Sequence, residues 1–157
     1  MKVKDAMSKA PVFCNLETNL GAAVEMLWDH NCGILPVVDS QRKVVGVITD
    51  RDIAIALGTR NQLPVETKVA QAATRKVQTC KPMEDIHLAL DTMAQNKVRR
   101  LIVVNEENQL EGILSMDDVI LSAGSKTGVK PEISSDDVLR TLKTLYSPQL
   151  MARAAGR

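Results

Sequence analysis

Aromatic side chains are scarce in this chain: they make up 2% of its 157 residues, as one Trp, one Tyr and one Phe. The core must therefore be aliphatic, and little surface is available for stacking the bases of a single strand. The chain also lacks an excess of charge of either sign, since its formal net charge is +1. A protein dedicated to nucleic acid usually carries a basic excess or stripe, so we expect no nucleic-acid partner.

Metal-binding and catalytic patterns are missing as well. The three cysteines, Cys14, Cys32 and Cys80, are odd in number and form no Cys-x-x-Cys pair, which argues against a disulfide framework or a structural zinc site. The two histidines, His30 and His87, do not lie at ligand spacing, so we expect no metal. No Ser-His-Asp or Cys-His arrangement is present, so we expect no catalytic residues and no enzyme; an enzyme using His87 or a cysteine is the alternative.

Long apolar runs are also absent. No stretch approaches the ~20 apolar residues of a membrane span, and the start "MKVKDAMSKAPVF" lacks the apolar segment of a secretory signal. With 45% hydrophobic and 25% charged residues, the composition is that of a globular protein. We therefore expect a cytoplasmic protein with no membrane partner.

What the chain does contain is an internal repeat. A shift of 66 places aligns Cys14 with Cys80, Gly46 with Gly112 and Asp52 with Asp118, without a gap from position 3 to position 122. We infer two copies of one unit, the first over residues 1–62 and the second over residues 63–123. A copy of roughly 60 residues buries little surface by itself, so the pair is expected to be the folding unit.

Each copy predicts the same order of elements: a short helix, a strand, a helix, two strands and a helix. In the first copy, Thr18 is the predicted N-cap of a helix whose apolar face has helical spacing, with Leu20, Ala23, Val24 and Leu27. "GILPVVD" and "VVGVIT", joined by a polar turn, predict a hairpin. The fold class is therefore α/β: two tandem β-α-β-β-α repeats packed sheet to sheet as one module.

A short phrase occurs once in each copy, as "VVGVITDRD" and "LEGILSMDD". Gly46 lies within a strand, where glycine marks the close approach of a backbone or a ligand. Thr49 can cap the helix that follows, and Asp52 suits the positive end of the helix dipole. These structural roles explain the phrase without a ligand.

The same positions also suit a nucleotide. Helix N–H groups and a hydroxyl can receive phosphate oxygens, and an acid one turn later can accept hydrogen bonds from both hydroxyls of a ribose. Val47 in the first copy and Ile113 in the second could flank a flat adenine. Both interpretations stay open on the residues alone.

The pattern Gly-x-x-[Ser/Thr]-x-x-Asp, present as Gly46–Thr49–Asp52 and Gly112–Ser115–Asp118, resembles paired cystathionine β-synthase (CBS) domains, the Bateman module. The resemblance covers residues 1 to 123. It implies a stand-alone, non-catalytic sensor that binds AMP, ADP or ATP in clefts between the repeats, with S-adenosylmethionine or NAD as other ligands. It further implies a homodimer, no required cofactor, and an unknown protein target. A scaffold protein with empty or vestigial clefts is the alternative.

The resemblance also assigns roles to residues. Thr49 and Asp52 would act with Gln78 and Thr79, whereas Ser115 and Asp118 would act with Val12 and Phe13. In each set the acid would hold the ribose and the hydroxyl would reach toward phosphate.

A second segment, "KVRRLIVVN", resembles the γ subunit of AMP-activated protein kinase, which implies that Arg99 and Arg100 meet phosphates. The alternative for both arginines is a solvated pair of charges. The first copy has Gly33–Ile34 at that place, so the two clefts differ in charge, and the site with Thr49 and Asp52 is the first candidate. Arg51 is a further candidate for a phosphate contact.

The repeat ends near Ala123, and residues 124–157 predict a linker and a C-terminal amphipathic helix. "GSKTGVKPE" is the linker, and Ser135, which precedes Asp136, is the predicted cap of a helix that Pro148 is expected to end; its apolar residues are Val138, Leu139, Leu142 and Leu145. This helix is expected to dock on the chain's own surface, on a second subunit or on a partner. The polar tail "ARAAGR" is expected to be frayed.

Overall fold

A computed structural model describes residues 1–123 and 132–155, with side chains described as far as Ser147. The elements are, in chain order, α1 (Val3–Ala6), β1 (Ser8–Lys9), α2 (Leu20–Asp29), β2 (Ile34–Val38), β3 (Val44–Thr49), α3 (Asp50–Arg60), a 3₁₀ turn (Val69–Gln71), β4 (Thr79–Cys80), α4 (Ile86–Asn96), β5 (Arg100–Val104), β6 (Leu110–Ser115), α5 (Met116–Ser122) and α6 (Ser135–Ala155). The predicted mixed α/β class is confirmed.

The chain forms two compact units, and each unit draws on both repeats. Unit 1 comprises Met1–Lys9, Gln78–Val103 and the described part of Gly112–Arg157; unit 2 comprises Ala10–Val77 and Val104–Glu111. The second motif, with Ser115 and Asp118, therefore lies in unit 1, and the first motif, with Thr49 and Asp52, lies in unit 2.

Unit 1 is built on a four-stranded sheet in the order β1-β6-β5-β4. Strand β1 pairs antiparallel with β6, placing Ser8 opposite Ile113, and β4 pairs parallel with β5, placing Thr79 opposite Ile102. Its aliphatic core includes the fully buried Val3, Ile86, Met93, Leu101 and Leu114. The sheet thus brings the amino-terminal segment beside the strand that leads into the second motif.

Unit 2 has the same arrangement, but its outer strands are reduced to single bridges. Its hairpin of β2 and β3 is antiparallel, and single bridges take the place of the outer strands: Cys14 pairs with Val37, and Thr74 pairs with Val47. The core is again aliphatic, with Leu20, Ala23, Leu35, Val37, Ile48 and Val69 fully buried.

The short leading helix of each repeat packs with the other copy of the repeat. Val3 and Val69, 66 positions apart, are both 0% exposed. The Val3 amide donates to the carbonyl of Glu84 at 3.0 Å, and the Val69 amide donates to the carbonyl of Thr18 at 2.8 Å. Equivalent hydrogen bonds therefore fix both segments, although the second forms only a 3₁₀ turn.

Two predicted caps are displaced by one residue. Helix α2 is capped by Asn19, whose Oδ1 accepts from the Ala22 amide at 2.9 Å. Thr18 belongs to the preceding loop, where its hydroxyl accepts from the Asn15 amide at 3.2 Å. Helix α6 begins at Ser135, and its cap is Ser134, which accepts from the Asp137 amide at 3.1 Å. In both cases two neighbouring residues can cap, and the predicted one was wrong.

The expected end of α6 at Pro148 is also wrong, because the helix continues to Ala155. Proline has no N–H to donate to the Thr144 carbonyl four positions earlier. The ammonium group of Lys97 donates to that carbonyl at 2.6 Å instead. Of the tail predicted to be frayed, positions 152–155 are helical. Residues 156 and 157, and linker residues 124–131, lie outside the described part of the chain.

Candidate functional site

The first motif forms a reciprocal capping box at the start of α3. The amide and the hydroxyl of Thr49 donate to Oδ2 of Asp52 at 3.0 and 2.7 Å, and the Asp52 amide donates back to the hydroxyl at 3.1 Å. This arrangement satisfies helix-end N–H groups that would otherwise lack a partner. The predicted capping role of Thr49 is confirmed. The box also fixes the half-buried Asp52 carboxylate in one orientation.

The second motif has the same box at the start of α5, with one additional contact. The amide and the hydroxyl of Ser115 donate to Oδ2 of Asp118 at 2.8 and 2.5 Å. The hydroxyl of Ser8 donates to the other oxygen, Oδ1, at 3.2 Å. Within residues 1–123 and 132–147, no hydrogen bond reaches Oδ1 of Asp52. The first motif therefore presents a free carboxylate oxygen, whereas the second presents one that a serine occupies.

The glycine of each motif lies against the backbone of a neighbouring segment. A Cβ on Gly112 would stand 2.8 Å from the carbonyl oxygen of Ser8 and 2.9 Å from the sulfur of Met7. A Cβ on Gly46 would stand 3.1 Å from the carbonyl oxygen of Thr74. The predicted close approach is confirmed, and the approaching group is the chain's own backbone.

Two arginines lie beside the second motif within unit 1. Arg99, Arg100, Ser115 and Asp117 line a cavity of about 130 Å³, together with Met116, Ile120, Leu142 and Tyr146. The Arg99 guanidinium donates to the Tyr146 hydroxyl at 3.3 Å. Arg100 is half-buried, and none of the ion pairs in the described part of the chain involves either arginine. The cavity is therefore cationic on one side.

The corresponding cavity of unit 2 has no Lys or Arg among the described residues of its lining. Gly33 stands at the repeat position of Arg99, and it lines a larger cavity of about 540 Å³ that is mostly apolar; the other lining residues are Val24, Leu27, Trp28, Asn31, Cys32, Asp50, Ile53 and Ala54. Asp50 supplies its one charge. The two copies thus differ in the charge that they place next to the motif.

The residues predicted to flank the base are each paired with a neighbouring segment of their own unit. Val47 is half-buried in its bridge with Thr74, and Ile113 is half-buried opposite Ser8. Thr79 pairs with Ile102 in unit 1. The carbonyl of Gln78 accepts from the Ile102 amide at 3.1 Å.

The remaining predicted residues belong to unit 2. Val12 packs against the core of this unit, and the Phe13 ring lies 4.9 Å from the guanidinium carbon of Arg42 in a cation–π contact. Arg51 is exposed, and its amide donates to the Asp50 carboxylate at 2.7 Å.

The structure places Arg99 and Arg100 with Ser115 around one cavity, a grouping that the sequence did not predict. Both predicted groupings combine residues of different units. Thr49 and Asp52 lie in unit 2, whereas Gln78 and Thr79 lie in unit 1; conversely, Ser115 and Asp118 lie in unit 1, whereas Val12 and Phe13 lie in unit 2.

Sequence reasoning missed two residues at these motifs, Ser8 and Tyr146. A hydroxyl residue occurs at the repeat position of Ser8 as well, namely Thr74, so the alignment of the copies carried a signal for the first. Tyr146 lies outside the repeat and has no counterpart that could have drawn attention to it.

The buried thiols do not support cysteine chemistry. Burial raises the pKa of Cys14 to about 11 and the pKa of Cys80 to about 12. Both thiols are therefore protonated at neutral pH, and a thiol is a poor nucleophile and a poor metal ligand. In the described residues, no three His, Cys, Asp or Glu side chains are grouped as a metal site would require. No helix in the same part of the chain is long and apolar enough to span a membrane.

Comparison with known proteins gives consistent matches. The family model of the CBS domain matches twice, over residues 3–59 and 69–123. Inosine-5′-monophosphate dehydrogenase of Methanocaldococcus jannaschii is 33% identical over 119 residues, which are 75% of this chain and 22% of the dehydrogenase. The chain thus corresponds to about a fifth of that relative.

Solved structures agree with the family match. The CBS domain pair of protein MJ0100, in complex with 5′-methylthioadenosine and S-adenosyl-L-methionine, has a TM-score of 0.70 and 29% identity over 77% of this chain and 94% of that one. CBSX2 in complex with AMP has a TM-score of 0.67 and 26% identity over 76% of this chain and 93% of that one. With its two repeats, two Gly-x-x-[Ser/Thr]-x-x-Asp capping boxes and two family matches, the chain belongs to the CBS domain family.

Proposed function

We propose that this protein is a non-catalytic regulatory module that binds an adenosine-containing ligand, namely AMP, ADP or ATP, at its two motifs. The observation that carries the proposal is the pair of oriented motif carboxylates, of which Asp52 keeps Oδ1 free of protein hydrogen bonds. A carboxylate held in this way can accept hydrogen bonds from two adjacent ribose hydroxyls without reorganising. The adenosine ligands of MJ0100 and CBSX2 support the same ligand class.

The capping boxes indicate different roles for the two side chains of each motif. The hydroxyl of Thr49 already donates to Asp52 and accepts from its amide, so its role in the proposal is to hold the carboxylate. The ribose is then assigned to Asp52, and to Asp118 in the second motif. Arg51 beside the first motif, and Arg99 and Arg100 beside the second, are assigned to phosphate because their guanidinium groups have no carboxylate ion pair in the described residues.

The first motif is better suited to bind the sugar, and the second has more cationic side chains that could bind phosphate. Oδ1 of Asp118 already accepts from Ser8, so a ribose must displace or share that contact. The arginines of the second motif offset this cost only for a ligand that carries phosphate. We therefore propose that AMP occupies both motifs, while adenosine favours the first.

A scaffold protein with vestigial sites is the second candidate. The observation that favours it is that the Thr49–Asp52 and Ser115–Asp118 pairs are fully explained as capping boxes. In this case the motif acids stabilise helices and bind nothing, and the protein acts on its target through its surface.

Calorimetric titration of the full chain with AMP, ATP, S-adenosylmethionine, NAD and adenosine separates the two candidates. Saturable binding of at least one adenosine ligand is expected, with AMP tighter than adenosine because only AMP can use the arginines. Heats no larger than those of dilution for all five ligands, with a folded protein by thermal melting, would favour the scaffold.

The proposal includes a homodimer that passes the signal to a separate target protein. Native mass spectrometry of freshly purified protein tests the subunit count and any co-purified nucleotide together. A dimer mass with bound nucleotide is expected, whereas a nucleotide-bound monomer would remove the dimer from the proposal and leave the ligand in place.

A further inference from the structure

Helix α6 forms one wall of the arginine cavity in unit 1. Leu142 and Tyr146 of this helix line the cavity together with Arg99, Arg100 and Ser115. The Arg99 guanidinium donates to the Tyr146 hydroxyl at 3.3 Å. The tail helix, which lies outside the repeat, therefore contacts a residue that the proposed function assigns to phosphate.

The cavity is suited to a small anion. Arg99 and Arg100 supply two positive charges, and the one acid in its lining, Asp117, is exposed and makes no ion pair in the described region. Pockets for whole drug-sized ligands measure about 300–1,000 Å³, so about 130 Å³ suits one group of a ligand and not all of it. A phosphoryl group matches this size and charge, and one guanidinium group can donate two parallel hydrogen bonds to phosphate oxygens.

Tyr146 has an unused donor at this cavity. Its oxygen accepts from Arg99, and in the described part of the chain its own O–H hydrogen has no acceptor. A phenol can accept and donate at once. An anion beside Arg99 would offer the hydrogen a charged acceptor, and the resulting hydrogen bond is stronger than a neutral one.

The position of Tyr146 depends on how α6 docks within unit 1. The inner face of the helix buries Val138, Thr141 and Leu145. The Lys97 ammonium donates to the Thr144 carbonyl at 2.6 Å, two residues before the tyrosine. Because Tyr146 and Lys97 anchor the same turn of α6, a bond from Tyr146 to a ligand would add to the stability of the docked helix.

We propose that α6 is part of the second ligand site: Arg99, Arg100 and the O–H of Tyr146 hold one phosphoryl group, and phosphate binding and α6 docking stabilise each other. The proposal rests on the proposed function for the nucleotide that carries the phosphate. The coupling is reciprocal, since a ligand that binds better when α6 is docked must also favour docking. The fraction of molecules with α6 docked would then depend on whether the second site holds a ligand.

The chain's one tyrosine makes the test specific. Incorporation of 3-fluorotyrosine labels position 146 alone, and fluorine NMR then follows this side chain during titration with AMP, inorganic phosphate and adenosine. We expect a saturable shift with AMP and with phosphate, and none with adenosine at the same occupancy. A shift with AMP but not with free phosphate would show that the phosphoryl group must arrive on a nucleoside.

Variants assign the shift to the cavity. Arg99→Met with Arg100→Met should abolish the shift, and Arg75→Met, an exposed arginine of unit 2, should leave it unchanged. Tyr146→Phe removes only the hydroxyl and should weaken AMP binding about ten- to a hundredfold at the second motif, as expected for one hydrogen bond to a charged group. Amide hydrogen exchange across α6 should slow on AMP binding in the wild type and less so in Tyr146→Phe.

The outcomes separate this inference from the proposed function. If calorimetry detects AMP binding while the fluorine resonance stays fixed and Tyr146→Phe binds normally, α6 has no part in the site and the inference is wrong. If no adenosine ligand binds and phosphate gives no shift, both proposals fail. If phosphate alone shifts the resonance, and the arginine variants remove the shift, the anion site holds while the nucleotide assignment fails.

Discussion

Ser8 donates a hydrogen bond from its hydroxyl to Oδ1 of Asp118 over 3.2 Å, although 110 positions separate the two residues. At the equivalent position of the other repeat, Thr74 contacts Val47 through backbone bonds of 2.9 and 3.0 Å. No hydrogen bond from Thr74 to Asp52 is present among the described residues. Two motifs of the same sequence pattern therefore present different carboxylates to a ligand.

Replacement of Ser8 by alanine should make the second motif a better sugar site. The change frees Oδ1 of Asp118, and we expect AMP affinity there to rise about two- to tenfold, the range that one hydrogen bond contributes. Calorimetry on Ser8→Ala in an Asp52→Asn background isolates the second motif. Unchanged affinity would mean that Ser8 does not compete with the ligand.

Alanine at Gly112 should destabilise the protein. The added methyl group would lie 2.8 Å from a backbone oxygen and 2.9 Å from the Met7 sulfur, and such overpacking costs about 1–3 kcal/mol. Chemical denaturation should show this loss. Gly46→Ala should cost less, because its nearest atom is at 3.1 Å.

Gly58 provides the matched control for these variants. A Cβ there meets nothing within 4 Å, and the residue lies inside α3. Gly58→Ala should therefore stabilise the protein by up to about 1 kcal/mol, through helix propensity. Equal losses at all three glycines would contradict the account of close backbone approach.

Acid should weaken the start of α6. The pKa of Asp137 is lowered, mainly by the hydrogen bond from the Ser134 hydroxyl and then by the bond from the Ser134 amide. A group whose pKa is lowered by folding contributes stability above its unfolded value, here 3.8, and this contribution is lost as pH falls through the lowered pKa. Thermal melts from neutral pH to about pH 2 should show this loss.

The Asp137→Asn variant tests whether that carboxylate is responsible. The variant should be less stable than the wild type at neutral pH and should lose less stability in acid. Asp136→Asn is the matched control, since Asp136 is exposed and makes no hydrogen bond through its side chain in the described region. An identical acid profile for the wild type and Asp137→Asn would contradict the assignment.

The three thiols should differ in reactivity. Cys14 and Cys80 are each 3% exposed and have pKa values raised by burial, whereas Cys32 is half-buried. A thiol reagent added to the folded protein should modify Cys32 first, and the other two should react only as the protein unfolds. Simultaneous reaction of all three in the native state would show that the cores of both units open readily.

Local features of the fold could be predicted from the sequence because their causes are local. The capping role of Thr49 follows from its place between a strand and an acid three positions later. The hairpins follow from two aliphatic runs around a polar turn. The close approach at Gly46 and Gly112 follows from a glycine within a strand. None of these requires knowledge of distant residues.

Other features depended on tertiary partners that periodicity does not encode. The sequence predicts a short helix at Val3, but an apolar side chain there fits the core of either copy. The Ser8–Asp118 bond forms only because Val3 packs in the core that contains the second motif. Helix α6 has an apolar face that indicates docking, yet only the packing of Val138 and Leu145 places Tyr146 beside Arg99. Between Thr18 and Asn19 the sequence could not decide, because both residues cap helices well.

The central claim is that the motif carboxylates bind the ligand in addition to capping their helices. The most direct measurement is calorimetric binding of AMP to the wild type, Asp52→Asn, Asp118→Asn and the double variant, with Asp91→Asn, at an exposed position of α4, as a matched control and thermal melts to confirm folding. We predict that each single variant loses one site, that the folded double variant loses both, and that the control binds normally. Wild-type AMP affinity and stoichiometry in the folded double variant would contradict the claim.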